Sequence, residues 1–562
     1  MNLHQILNGP PETILPPLFL FSTCLKILLF PAYRSTDFDV HRNWLAITKQ
    51  TPVSEWYWND VDGGTVHTLD YPPAFAFFEY CLSNNNNPLV GLLLPEGDRC
   101  LELLPDSDNA PSGPCVIFQR STVVVGDLVF WAGAYFACRA FHYGKPSNFA
   151  ITAFLLIVFN PALLWLDHIH FQYNGMMIGV FLASLGCLLM GNNVAIQHNT
   201  ENENRNNPQQ QQQKQQQPLA YDLYHLGGAA LFALLLNLKH LYLPLAPLYF
   251  CYLLERYCLT LTHTVQAGKS KSRTEFKAGK FLLLALVTGT VLVLPWVPFV
   301  KATNDPTGQV LQILRRLFPF GRGLVHDYWA GNVWALYSLL DRMFRGGCRT
   351  IIPRVLPAMA MALEGAHLPE PTPVVCAILL FISIIPGLRV ASRHPTNTKL
   401  VESVAYVSFC AFMLAYHVHE KAILTALIPL TLLVEPTPRG EYHNVLFWNV
   451  SLWGLLGLLP LLFRPIELAI KLSSYLAYMA LASCLLNTSP KSKWLEHVQY
   501  GSVGIVTLVV GLLEVVPIQG KWEFLPLMIT SIACASGLLG CWGMTTWLLV
   551  RIGNNKQKTI MR

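Results

Sequence analysis

The sequence predicts an all-α polytopic membrane protein. Continuous apolar runs recur at 123–140, 281–300, 374–388, 400–416, 445–463, 498–516 and 525–550, close to the roughly 20 residues a helix needs to cross a bilayer. Charged residues make up 13% of the chain and apolar residues 52%, with a mean hydropathy of +0.38, whereas soluble domains are about 25% charged. The runs are also too long and unbroken for the alternating strands of a closed barrel. A soluble enzyme is excluded, and 30 Phe, 21 Tyr and 14 Trp exclude disorder as a description of the whole chain. A net charge of +6 over 562 residues calls for no nucleic-acid partner.

Taken in order, residues 1–33 hold the N-terminus and a first span from about residue 13. That span follows a stretch without Lys or Arg and ends without an A-x-A site, so it is expected to stay uncleaved. Residues 34–117 form one long connection with twelve acidic and four basic side chains. Its second half, 83–114, is rich in Asn, Pro, Gly and Asp and reads as a flexible insertion. Residues 118–440 carry further spans, and 441–562 more apolar helices, for about sixteen candidate spans at most. Two connections read as solvated linkers: the Asn/Gln-rich 192–220 and the Lys/Ser-rich 268–280. The 14 cysteines show no C-x-x-C or metal-ligand spacing and are expected to be membrane-core residues.

Cytoplasmic loops collect Lys and Arg. With the N-terminus in the cytosol, most basic residues fall on the cytosolic side, both termini face the cytosol, and the acidic loop lies on the opposite face. Four polar clusters then converge at that same non-cytoplasmic boundary. The first follows span one and contains Asp37, Asp39 and Arg42, with Asp70 and Tyr71 further along. A helix starting after Thr36 could cap on the Ser35 or Thr36 hydroxyl and put Asp37 and Asp39 in its first turn. There a positioned carboxylate can act as a general base. The second, 166–175, packs Asp167, His168, His170 and Gln172 into a tight turn suited to sugar or phosphate. The third, 315–329, offers Arg316 and Arg322 among aromatics, the residue type that grips phosphate by forked hydrogen bonds. The fourth, His417, His419, Glu420 and Lys421, sits between two apolar runs, where unused charge is costly. The pair Lys239 and His240 is a weaker case of the same kind.

The stretches STDFDVHRNWLAIT, SEWYWND, LDYPP, DHIHFQYNG, RLFPFGRGL and VHEKAIL resemble, in order, the motifs of the endoplasmic-reticulum glucosyltransferases that extend the lipid-linked oligosaccharide. The resemblance implies a type C glycosyltransferase architecture with luminal loop helices, an endoplasmic-reticulum membrane location and a luminal active site. It also implies a dolichyl phosphate glucose donor and a diphosphodolichol-linked oligosaccharide acceptor. Asp37 matches the family's catalytic base, and Asp39 an acceptor-contacting position. His417, His419, Lys421 and Arg322 match the donor-phosphate side. An acceptor already carrying one glucose is the first reading, and the unglucosylated acceptor of the sibling enzyme the alternative. A multispan transporter is the distant one. Neither a cofactor nor a metal is expected, because a monophosphate-linked lipid donor needs a metal less than a diphosphate-nucleotide donor does.

Overall fold

The computed structural model describes residues 9–58, 67–103, 111–203, 218–266, 269–325, 330–350, 367–394, 396–437, 441–462, 464–486, 501 and 524–560. Among these, ten helices are long and apolar enough to cross a membrane, fewer than the sequence's upper count. Most of the expected run 498–516 lies outside the described residues. The chain divides into two compact units, 1–319 with 391–400, and 320–390 with 401–562.

In the first unit, helix α1 (Pro11–Leu28) leads to α2 (Thr36–Gln50), α3 (Pro73–Ser83) and the short α4 (Pro88–Leu93). The long helices α5 (Gly113–Phe141), α6 (Ser147–Val158), α7 (Asn174–Glu203) and α8 (Leu219–Leu238) follow, with a π turn, Leu164–Ile169, before α7. The α5–α7 contact rests on glycine. A Cβ at Gly133 would lie 2.0 Å from the Gly179 carbonyl oxygen, and one at Gly179 2.5 Å from that of Val129. Small residues let membrane helices touch backbone to backbone, and this approach sets the start of α7 beside α5.

Three expectations change in the loop and linkers. The 83–114 insertion is folded wherever it is described: Asn87 caps α4, Asp98 caps a short 3-10 turn, and a disulfide joins Cys100 to Cys115. Both cysteines pack with Leu45, Leu101 and Phe118, so they are a crosslinked pair tying the loop to the first turn of α5 rather than free membrane-core thiols. Helix α7 continues to Glu203 through the expected start of the first linker, because Asn192 and Asn193 both bond to Asn397; 204–217 lies outside the described residues. The second linker contributes a strand to an antiparallel hairpin, β1 (Leu259–Gln266) with β2 (Lys269–Phe276), since main-chain pairing needs no apolar face. After α9 (Ala278–Val293) comes α10 (Pro306–Leu317), which Gln309 and Gln312 dock on the 53–58 turn through the carbonyls of Ser54 and Tyr57.

The second unit contains α11 (Val333–Thr350), α12 (Pro373–Arg393), α13 (Asn397–Leu414), α14 (Leu424–Leu432), α15 (Glu441–Leu456), α16 (Leu468–Leu486) and α17 (Leu525–Ile560). Residues 391–400, shared by the end of α12 and the start of α13, count with the first unit. Buried Lys471 on α16 donates to the carbonyls of Leu459 and Leu462, which compensates its charge inside an apolar setting.

Candidate active site

Helix α2 starts at Thr36, one residue earlier than the sequence predicts, and the Ser35 hydroxyl does not cap it. It donates instead to the His170 carbonyl. Arg120, buried on α5, donates to the carbonyls of Ala32, Tyr33, His168 and Ile169. One guanidinium thereby ties the exit of the first span to the His-rich turn. Beneath it, Lys26 Nζ lies 2.8 Å and His168 Nε2 3.2 Å from the same oxygen of Asp127. Buried charges persist when they neutralise one another, and here they join α1, α5 and the turn.

This frame brings Asp37 to Gln172 and His170. The Gln172 Nε2 donates to Asp37 Oδ2, and His170 Nε2 stands 3.4 Å from that oxygen, while about a third of the Asp37 side chain (32%) stays exposed. The carboxylate is therefore oriented by neighbours and still open on one side. Tyr71 is close to it: burial pushes the Tyr71 phenol well above its usual range, reinforced by the charges of Asp70, Asp37, Asp167 and Glu79. Its carbonyl accepts from the Tyr57 hydroxyl at 2.6 Å, and the Tyr57 carbonyl accepts from Arg316 Nε at 3.3 Å. The third cluster's Arg316 is thus anchored under the first loop.

Other expected contacts are turned inward. Arg42 is buried and donates to the carbonyls of Cys100 and Glu102, fixing the disulfide-bearing segment. Burial raises Asp39 above the usual carboxylate range, opposed by the charges of Arg34, Arg42 and His67. Asp167 accepts from the Asn174 main chain and side chain and from the Gly175 amide, so it serves the N-terminus of α7, where the helix dipole favours an anion. Asp167, His168 and Gln172 are all buried, with protein partners in place of an open surface. Among the described residues, no group of three or more His, Cys, Asp or Glu is placed to share a metal ion.

In the second unit, the segment 320–324 and the turn 416–421 are bonded together. The His417 amide donates to the Leu324 carbonyl at 3.1 Å; its Nδ1 lies 2.9 Å from the Gly323 carbonyl, and the Tyr416 hydroxyl reaches that of Phe320. Gly323 has φ +86°, a conformation glycine adopts without strain. The His417 and His419 rings stand perpendicular, 5.5 Å apart. Glu420 is buried and Lys421 half-buried. The Arg322 side chain and residues 326–329 lie outside the described part of the structure.

Arg120, Lys26, Asp127 and Glu79 escaped the sequence reading, and Asn174 entered it only as a member of the 166–175 cluster. For Lys26, Arg120 and Asp127 a usable signal was present: each is a charge inside an otherwise apolar run, which in a membrane requires a partner.

A family model described as the ALG6, ALG8 glycosyltransferase family matches residues 22–545. Relatives named dolichyl pyrophosphate Glc1Man9GlcNAc2 alpha-1,3-glucosyltransferase are similar over nearly their whole length. That of Gibberella zeae is 36% identical over 93% of this chain and 96% of its own. Those of Mus musculus, 34% over 92% of each, and Arabidopsis thaliana, 32% over 95% and 97%, agree.

Proposed function

The chain belongs to the ALG6, ALG8 glycosyltransferase family, and on that premise we propose that it transfers glucose from dolichyl phosphate glucose to Glc1Man9GlcNAc2-diphosphodolichol, making an α-1,3 linkage. The names of the relatives favour this acceptor over the unglucosylated one. Membership removes the transporter alternative.

A β-linked donor and an α product call for one in-line displacement with inversion. The acceptor 3-hydroxyl attacks C1, the C1–O bond to phosphate breaks, and the hydroxyl proton passes to a carboxylate, as in inverting sugar chemistry. Asp37 is that base. The observation carrying this assignment is its fixed but partly open carboxylate, held by Gln172 with His170 at 3.4 Å. Asp39, Asp70, Tyr71 and His170 are proposed to contact the acceptor side. The leaving phosphate departs as an anion, so catalysis there needs cations aimed at its growing charge. His417, His419, Lys421, Arg322 and Arg316 are proposed for that task. The bonding of 320–324, in the third cluster, to 416–421, in the fourth, supports reading Arg322, His417, His419 and Lys421 as one clamp.

The face of action is proposed to be luminal, in the endoplasmic reticulum, with both termini cytosolic. Besides the charge asymmetry, the Cys100–Cys115 bond supports this, because disulfides persist in the oxidising lumen and not in the cytosol.

The test is Asp37→Asn, assayed in membranes with defined donor and acceptor. Loss of a positioned base should lower the rate by roughly 10²–10⁴ while expression and insertion persist. Wild-type turnover in that variant, or a β-linked product, would end the proposal.

A further inference from the structure

Gln172 presents an ambiguity that the structure resolves. A primary amide can meet a carboxylate with its NH₂ group or, turned over, with its oxygen, and the two orientations have nearly the same shape. What selects one is found further along the chain of contacts. Lys239, at the end of α8, carries only donors, and its Nζ lies 2.7 Å from Asn174 Oδ1. That fixes the Asn174 oxygen toward the lysine and its NH₂ away from it. The NH₂ then donates to Gln172 Oε1 at 2.7 Å and to Asp167 Oδ1 at 2.9 Å. With its oxygen occupied, Gln172 has only its NH₂ to turn toward Asp37.

We propose that Lys239 and Asn174 are positioning residues for glycosyl transfer, forming with Gln172 a directed hydrogen-bond relay from a buried ammonium to the Asp37 carboxylate. The proposal rests on the reading of Asp37 as the base. Burial supports it: Lys239 and Asn174 are each 8% exposed and Gln172 2%. Lys239 also lies over the Tyr71 ring, 5.4 Å from its centroid. In a low-dielectric setting such chains polarise one another, so the ammonium's charge is delivered through two amides to the base. The relay joins three separate stretches of the chain: the end of α8, the His-rich turn running into the start of α7, and α2.

Other charged or titratable groups lie near Asp37 as well. His170 comes from the turn and Tyr71 from the 67–72 segment; Arg34 and Arg120 lie over the ring of its neighbour Phe38, and Asp39 is two residues along the same helix. The test must therefore separate the relay from a general change in local charge or folding. It compares the pH dependence of kcat/KM for wild type, Lys239→Met, Lys239→Arg and Gln172→Glu, with Asp37→Asn alongside. A positively terminated donor chain favours the ionised base, so its loss should move the acidic limb upward by roughly one pH unit in Lys239→Met. Gln172→Glu, which sets a second carboxylate against the first, should move it further. On the acidic limb, below the wild-type midpoint, rates at a given pH should fall by up to about tenfold and recover as pH rises, and Lys239→Arg should restore most of the wild-type profile.

A wild-type limb in both Lys239→Met and Gln172→Glu, or a rate loss equal at every pH, would overturn the relay. If Lys239→Met fails to accumulate, Gln172→Glu decides alone. An inactive Asp37→Asn beside an unshifted limb removes the relay only, whereas an active Asp37→Asn removes the base assignment on which it stands.

Discussion

Two polar turns, 166–175 in the first unit and 416–421 in the second, solve the same problem differently. Each interrupts apolar helices, and each holds a non-glycine residue in the left-handed region, Phe171 at φ 77° and His417 at φ 53°, a placement costing about 1–3 kcal/mol. In the first turn that cost is offset by burying the Phe171 ring, which packs edge-on to Phe38, His41 and Tyr173. Its polar side chains are held by other side chains: Asp167 by Asn174, His168 by Asp127, Gln172 by Asn174 and Asp37. The second turn is anchored mainly through carbonyls of 320–324. The first arrangement fixes the geometry of a carboxylate, and the second fixes the backbone that carries His417, His419 and Lys421.

The largest expected effect breaks the first turn alone. In Gly179→Val the new Cβ would meet Val129 main chain at 2.5 Å, and backbone cannot yield as a flexible side chain does. The α5–α7 contact should open, moving Arg120 and Asp127 away from the turn, with a loss of roughly 4 kcal/mol or more. Folded yield after detergent extraction and thermal unfolding would report it. Stability like wild type would mean that the close helix approach does not hold the turn.

The contrast also separates what was legible from what was not. Apolar run lengths announced the spans, and the clusters around Asp37, His170, His417 and Lys421 stood out because polar residues packed against hydrocarbon need a reason. The partners did not stand out. Arg120 and Asp127 are lone charges in a long apolar helix, and only the packing of α5 against α1 and α7 reveals that they serve the turn. Asn174 looks like an ordinary helix start until Lys239, 65 positions away, fixes its amide. Cys100 lies in a stretch whose Asn, Pro and Gly content signalled flexibility and Cys115 just beyond it, while Leu45 of a distant helix packs on them.

A second pair of variants sharpens the account of the 416–421 turn. Gly at position 417 accepts the positive φ without strain, so His417→Gly tests the imidazole while sparing the backbone. Lys421→Ala removes one proposed phosphate contact, and a charge-assisted hydrogen bond is worth about 1.5–3 kcal/mol. Expected are an increase of roughly tenfold or more in the donor KM for Lys421→Ala, a smaller rise for His417→Gly, and unchanged acceptor KM in both. Unaltered donor kinetics in Lys421→Ala would remove the clamp.

The smallest effect concerns the support behind Phe171. His41 packs on that ring and on Tyr173, and its Nδ1 lies 2.7 Å from Oε1 of Glu79, which is buried on α3. Burial raises the Glu79 carboxyl above its ordinary range, only partly opposed by the His41 hydrogen bond. The folded protein therefore holds this proton more tightly than the unfolded chain does. Its contribution to stability is complete below the unfolded value, roughly 4.3, and is lost as pH rises through the folded one. Glu79→Gln keeps the shape and cannot ionise, so its unfolding temperature should match wild type near pH 4 and exceed it by a few degrees at pH 7 and above. Donor KM should not change, because the second turn takes no part in this pair. A Gln variant less stable than wild type at pH 7 would mean that the fold uses a charged carboxylate at this position, and the aromatic support of the first turn would then depend on an ion pair.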